Sequence, residues 1–164
     1  MPDATQGRPL GLHALAAAYV FFLLLTVSSY GYPFPFMGKF YPGRAGDCLV
    51  FADSMVSLYL CIGILKRQRL TVWLLIAYNL LDICNACVNL ALIPPSLYAR
   101  LAEAPIPEGE LRFNTLAAAL FLLLLNVYVF RNRRYFDNRS RYLFEPGQAL
   151  GSLMQRECWL FCHW

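Results

Sequence analysis

The stretch "LTVWLLIAYNLLDICNACVNLALI", Leu70 to Ile93, decides the fold. It is long and apolar enough to cross a bilayer as a helix, which takes about 20 residues at a rise of about 1.5 Å each. The same stretch holds Asp82, Asn79, Asn85, Asn89 and a Cys-x-x-Cys pair, Cys84 and Cys87. Such groups are costly in hydrocarbon, a central carboxylate by about 2.5–3.5 kcal/mol even on the lenient insertion scale. At about 100° per residue, Tyr78, Asp82, Asn85 and Asn89 share one face, Asn79 lies at its edge, and the two cysteines point elsewhere. A helix with that seam must turn it toward other helices or a water-filled cavity. The stretch therefore predicts a bundle of spans and not a lone anchor.

The rest of the chain supplies the partners. Of its 164 residues 59% are hydrophobic and 15% charged, well away from the about 45–50% apolar and about 25% charged residues of soluble domains. Three further apolar runs stand out: Leu12 to Ser29, Cys48 to Leu65 and Phe113 to Phe130. Backbone groups cannot stay unpaired in lipid, so each run is expected to be a helix. The expected fold class is an all-α, polytopic membrane protein, a four-transmembrane-helix bundle with spans at about 12–29, 48–65, 70–93 and 113–130. Residues 1–144 form the transmembrane domain. Residues 145–164 form a tail, where Leu150, Leu153, Met154, Cys158 and Phe161 have the spacing of an amphipathic surface helix. The first run could instead be a cleaved signal peptide, but it has no basic leader beyond Arg8 and ends in "SSYGYP" without a small-x-small site.

Charge placement orients the bundle. "KRQR" lies between the second and third runs and "RNRRYFDNRSR" follows the fourth, while the opposite loops hold only Lys39, Arg44, Arg100 and Arg112. Cytoplasmic loops are enriched in Lys and Arg, so both termini are expected to be cytoplasmic. Arg131, Arg133 and Arg134 are expected to bind anionic lipids and not nucleic acid, because they directly follow a span. Of the outer loops, "YGYPFPFMGKFYPGRAGD" alternates aromatics with prolines that exclude a regular helix, and reads as an interfacial aromatic belt or a partner surface. In "PPSLYARLAEAPIPEGE", Ser96 is placed to cap a short interfacial helix through Ala102.

None of the four runs contains Lys or Arg, so Asp82 has no intramembrane cation. At comparable depth the second run offers Ser57 and Tyr59 and the fourth offers Asn126, while Asp53 and Ser54 lie level with Asn89. Two readings follow. In one, the seam is polar glue between helices. In the other, Tyr78, Asp82, Asn85, Asn89, Asp53, Tyr59 and Asn126 line a ligand-binding pocket.

No catalytic residues are expected: the chain has no Gly-rich phosphate loop, no His-Glu-x-x-His and no Gly-x-Ser-x-Gly. No cofactor and no metal site are expected either, since Cys158, Cys162 and His163 offer three donors without a fourth. The Cys84–Cys87 pair is mid-helix in apolar surroundings, which disfavours the thiolate that redox chemistry needs. Membrane quinone reductases of this size also use a second, loop-borne cysteine pair that is missing here.

The pieces "RPLGLHALAAAYVFF", "YLCIGILKRQRLTVWLLIAYNLL" and "YVFRNRRYF" resemble small four-helix inner-membrane proteins of bacteria, over residues 8 to about 136. The resemblance implies topology and the bacterial inner membrane as location, and no activity. The expectation for function is an accessory or assembly subunit of a membrane complex, meeting a membrane-protein partner or a second copy of itself. The alternative is a small lipophile-binding protein, transporter or isomerase built around Asp82.

Overall fold

The computed structural model describes residues 10–102 and 107–138. The tail after Asn138, with its expected surface helix and Cys158, Cys162 and His163, lies outside the described residues. The elements are α1 (Leu10–Ser28), β1 (Phe34–Phe36), β2 (Lys39–Tyr41), α2 (Gly43–Leu65), α3 (Arg69–Leu92), α4 (Pro95–Ala102) and α5 (Glu108–Arg131), followed by a 3₁₀ turn at Arg133–Tyr135. The molecule is mostly helical, and α1, α2, α3 and α5 are each long and apolar enough to cross a membrane. Their outer faces expose large apolar side chains, among them Phe21, Leu24, Trp73, Phe113 and Leu120. Apolar surface on this scale is rare on soluble proteins and suits a bundle held in lipid.

Two helices start earlier than hydropathy alone indicates. Pro42 precedes α2 with extended backbone, so the polar "GRAGD" forms its first turns. Pro107 does the same for α5, where Glu108 and Glu110 sit at the positive end of the helix dipole and Glu108 pairs with Arg112. The short α4 begins at Pro95, so Ser96 lies inside its first turn and does not cap it.

The proline-rich loop contains a small antiparallel hairpin pairing Phe34 with Tyr41, Pro35 with Phe40 and Phe36 with Lys39. Its two-residue turn is Met37–Gly38, both at positive φ (47° and 82°), as a twisted hairpin requires. Phe40 meets Tyr98 of α4 edge to face at 5.2 Å. The hairpin and α4 thus share one end of the bundle.

The other end is basic. α2 closes with Arg67 at φ 56°, while the Gln68 amide donates to Gly63 O and the Arg67 amide to Ile64 O. That is the two-bond C-terminal cap usually built on glycine. Residues 132–138 fold back under this turn: the Arg69 amide donates to Asn138 O at 2.9 Å and the Asn138 amide to Arg67 O at 3.1 Å. Arg67 Nε donates to Tyr135 O and pairs with Asp137. The two basic segments are therefore joined at one end of the bundle.

Packing is unequal along the bundle. α1 lies along α2, and α3 along α5. The dry core occupies the basic half: Leu12, Leu15, Ala16 and Tyr19 from α1, Leu60, Cys61 and Ile64 from α2, Val72 and Leu75 from α3, Val129 from α5, and Phe136 beneath them. Near the helix middles this core gives way to polar side chains.

Candidate functional site

The core ends in a polar layer. Tyr19 is completely buried, and its hydroxyl donates to Asn79 Oδ1 at 2.6 Å. Asn79 Nδ2 donates in turn to Asn126 Oδ1 at 2.8 Å. This chain joins α1, α3 and α5 through three neutral side chains, and it suits an apolar bundle because each bond lowers the cost of burying both its partners.

Beyond this layer the helices part around a cavity of about 270 Å³. Asn79 lies at its base. Phe22, Leu25 and Thr26 of α1 form one wall, and Ala118, Phe121 and Leu122 of α5 the other. Phe22 and Phe121 meet edge to face with their centroids 6.4 Å apart. Asp53 of α2 and Tyr78 and Asp82 of α3 line the back. Leu25, Ala118 and Phe121 are exposed, so the cavity has its rim on the apolar flank of the bundle.

The two carboxyl groups differ in their partners. The Tyr78 hydroxyl donates to Asp53 Oδ1 at 2.5 Å, and Thr26 Oγ1 donates to Asp53 Oδ2 at 3.2 Å. Ser57 Oγ lies 3.1 Å from the Tyr78 oxygen and, with the tyrosine proton committed to Asp53, is the donor of that pair. Asp82 lines the same cavity, half-buried, and accepts no hydrogen bond from any of the described residues. A carboxyl group so placed has open capacity for a donor brought from outside.

Asn85 and Asn89 do a different job. Asn85 Oδ1 accepts the Met37 amide at 2.8 Å, and Asn89 Oδ1 accepts the Gly38 amide at 2.7 Å. Asn89 Nδ2 donates to Pro35 O at 3.2 Å. The hairpin turn is thereby clamped onto the end of α3. Leu92 packs so tightly under Gly38 that a β-carbon there would overlap it. Nearby, burial pushes the Tyr98 phenol above its ordinary range.

Of the residues expected to form a pocket, the structure gathers Tyr78, Asp82 and Asp53 around one cavity. Asn126 sits below it in the polar layer, Asn85 and Asn89 hold the hairpin, and Tyr59 does not line the cavity. Cys84 and Cys87 are free and exposed on the bundle surface. Among the described residues no three His, Cys, Asp or Glu side chains converge as a metal site. Sequence reasoning missed Tyr19 and Thr26 and set Asn79 at the seam's edge. The signal available was that Tyr19 and Thr26 are hydroxyl groups within an otherwise Ala-, Leu- and Phe-rich run. Compared with protein families, curated proteins and solved structures, the chain matches none.

Proposed function

We propose that this chain is a multi-pass protein of a bacterial inner membrane, with both termini cytoplasmic, and that its bundle binds a membrane-soluble ligand in the cavity between α1 and α5. The observation that supports this reading is an apolar recess backed by Asp53, Tyr78 and Asp82, with an exposed apolar rim. At about 270 Å³ it is slightly smaller than the about 300–1,000 Å³ usual for ligand sites, which suits a small ligand. Its walls suit an aliphatic or aromatic body. Its back suits a polar end that donates hydrogen bonds, because Asp82 has unused acceptor capacity and no span carries Lys or Arg at its depth. The proposed orientation rests on the basic end facing the cytoplasm. The division into a membrane domain to residue 144 and a cytoplasmic tail belongs to the same proposal.

Mass spectrometry of lipophiles extracted from detergent-purified protein tests it. Wild-type protein is expected to carry a defined lipophile. Asp82→Asn, which preserves shape, is expected to lose most of it, while its delipidated form melts as the delipidated wild type does. Ala118→Trp, which fills the recess from its rim, is expected to exclude it. Equal lipophile content in all three proteins, or none in the wild type, would defeat the reading.

A second reading, an accessory or assembly subunit of a membrane complex, has one observation of its own. The clamped hairpin loop holds Tyr32 and Met37 outward, ready for a partner. Recovery from mild detergent as a lone monomer with no co-purifying protein counts against it.

A further inference from the structure

A second cavity, of about 470 Å³, lies at the basic end of the bundle. Three guanidinium groups face it: Arg69 from the first turn of α3, and Arg133 and Arg134 from the turn after α5. They are distant in sequence and come together only because residues 132–138 pair with the α2–α3 turn. Among the described residues the one carboxylate at this cavity is Asp137, and it is paired with Arg67. Among the described residues Arg69, Arg133 and Arg134 form no ion pair. Arg133 lies over the Phe130 ring and Arg134 over the Tyr135 ring, with one Arg134 nitrogen donating to the Tyr135 hydroxyl at 3.4 Å. Stacking uses the flat faces of these groups and leaves donors at their edges for an anion. Three like charges around one hollow repel one another unless an anion sits among them, and guanidinium groups suit phosphate oxygens in particular.

The remaining wall says which phosphate. Val72 and Phe136 are buried behind the cavity, and Trp73 stands exposed beside it. Arg69 and Arg131 mark the ends of the apolar stretches of α3 and α5, so the guanidinium groups sit where hydrocarbon gives way to headgroups. An adjoining hollow shares Arg134 and continues along exposed Leu124 and Val127. A free phosphate would use the cations and leave these apolar strips unused. We propose that Arg69, Arg133 and Arg134 form a built site for an anionic phospholipid, its phosphate held by the three guanidinium groups and its acyl chains lying along Trp73. This site is separate from the Asp82 cavity and does not depend on it.

The test is native mass spectrometry of the full chain in detergent with added phosphatidylglycerol, phosphatidylcholine or inorganic phosphate. Wild-type protein is expected to retain phosphatidylglycerol and not phosphatidylcholine, and inorganic phosphate is not expected to displace it. The triple variant R69Q/R133Q/R134Q is expected to lose affinity on the order of a hundred-fold, three headgroup-level charges being removed. A control, K39Q/R100Q/R112Q, removes three cations at the opposite end and is expected to bind as wild type. R69K/R133K/R134K keeps charge but loses the fork geometry, and is expected to fall between wild type and the glutamine variant. Equal loss in the control, full retention by the lysine variant, equal retention of phosphatidylcholine, or displacement by inorganic phosphate would each overturn the proposal. Should the glutamine triple fail to fold, R69Q alone is expected to weaken binding about five-fold, and no change there would overturn it equally.

Discussion

Replacing Tyr19 by Phe is expected to destabilise the protein, and to stop doing so once Asn79 is replaced by leucine. In the native protein the Tyr19 hydroxyl donates to Asn79 Oδ1 at 2.6 Å, with both residues almost fully buried. Removing the hydroxyl leaves Asn79 Oδ1 without that donor, at a cost of about 1 kcal/mol for an interhelical bond in an apolar setting. Asn79→Leu keeps the branching of the side chain but removes two bonds. It strands the Tyr19 hydroxyl and Asn126 Oδ1 together, at about 1–3 kcal/mol each, partly offset by the burial of leucine. In that background the hydroxyl is itself a liability. Tyr19→Phe should then be neutral or stabilising, which gives a coupling of about 1 kcal/mol or more.

The assay is reversible unfolding in mixed micelles by SDS titration, followed by far-ultraviolet circular dichroism, on wild type, both single variants and the double variant. If Tyr19→Phe costs the same in the wild-type and Asn79→Leu backgrounds, the two residues are uncoupled. The polar layer would then not join α1 to α3, and the floor assigned to the Asp82 cavity would lose its basis.

Two further outcomes follow from the ends of the bundle. Asn89→Ala removes the acceptor of the Gly38 amide and the donor to Pro35 O. Hydrogen exchange at Met37 and Gly38 should accelerate about 10- to 100-fold while the middle of α3 is unchanged, corresponding to about 1–3 kcal/mol lost locally; unchanged exchange at the turn would refute the clamp. Arg67 holds φ 56° and also binds Tyr135 O and Asp137. Arg67→Gly and Arg67→Ala lose the same side-chain bonds, but only alanine keeps the strain, so the glycine variant should be the more stable by about 1 kcal/mol in the same SDS titration. The reverse order would mean that the left-handed cap is not formed.

Hydropathy locates the four long helices because a span of lipid-compatible backbone has few alternatives. Their starts are less legible: "GRAGD" before Cys48 and "EGELR" before Phe113 are too polar for a hydropathy window, yet Pro42 and Pro107 initiate helices there. The hairpin is hidden by its own composition. Pro35 and the Met37–Gly38 turn lack the Asn-Gly pattern of two-residue turns, and the acceptors that hold it, Asn85 and Asn89, lie about fifty positions away. A single-face projection sets Asn79 at the edge because it assumes one neighbour. α3 in fact packs along α5 on one side and reaches Tyr19, Asp53 and Ser57 on others, so a residue at the edge of one seam is central to another.

That division gives the strongest ground for a ligand. The polar side chains of α3 are placed by depth, and each depth has its own use. Asn79 closes the dry core. Tyr78 ties Asp53 and Ser57 of α2 to α3. Asn85 and Asn89 secure the hairpin. Structural contacts account for every one of them, because each makes its bonds within the protein. Asp82 does not fit that account. It is the most expensive of these groups to bury, it accepts no hydrogen bond from the described residues, and it lies where α1 and α5 stand apart around a cavity. A hydrophobic side chain there would fill the recess at lower cost, and an asparagine would serve as glue. A carboxyl group suits the proposed ligand, whose donor would enter between α1 and α5 and meet it. For that reason Asp82→Asn separates the two readings. Contacts within the protein predict that the substitution changes neither stability nor lipophile content, whereas a ligand bound at Asp82 predicts that the content falls while the delipidated protein unfolds as before.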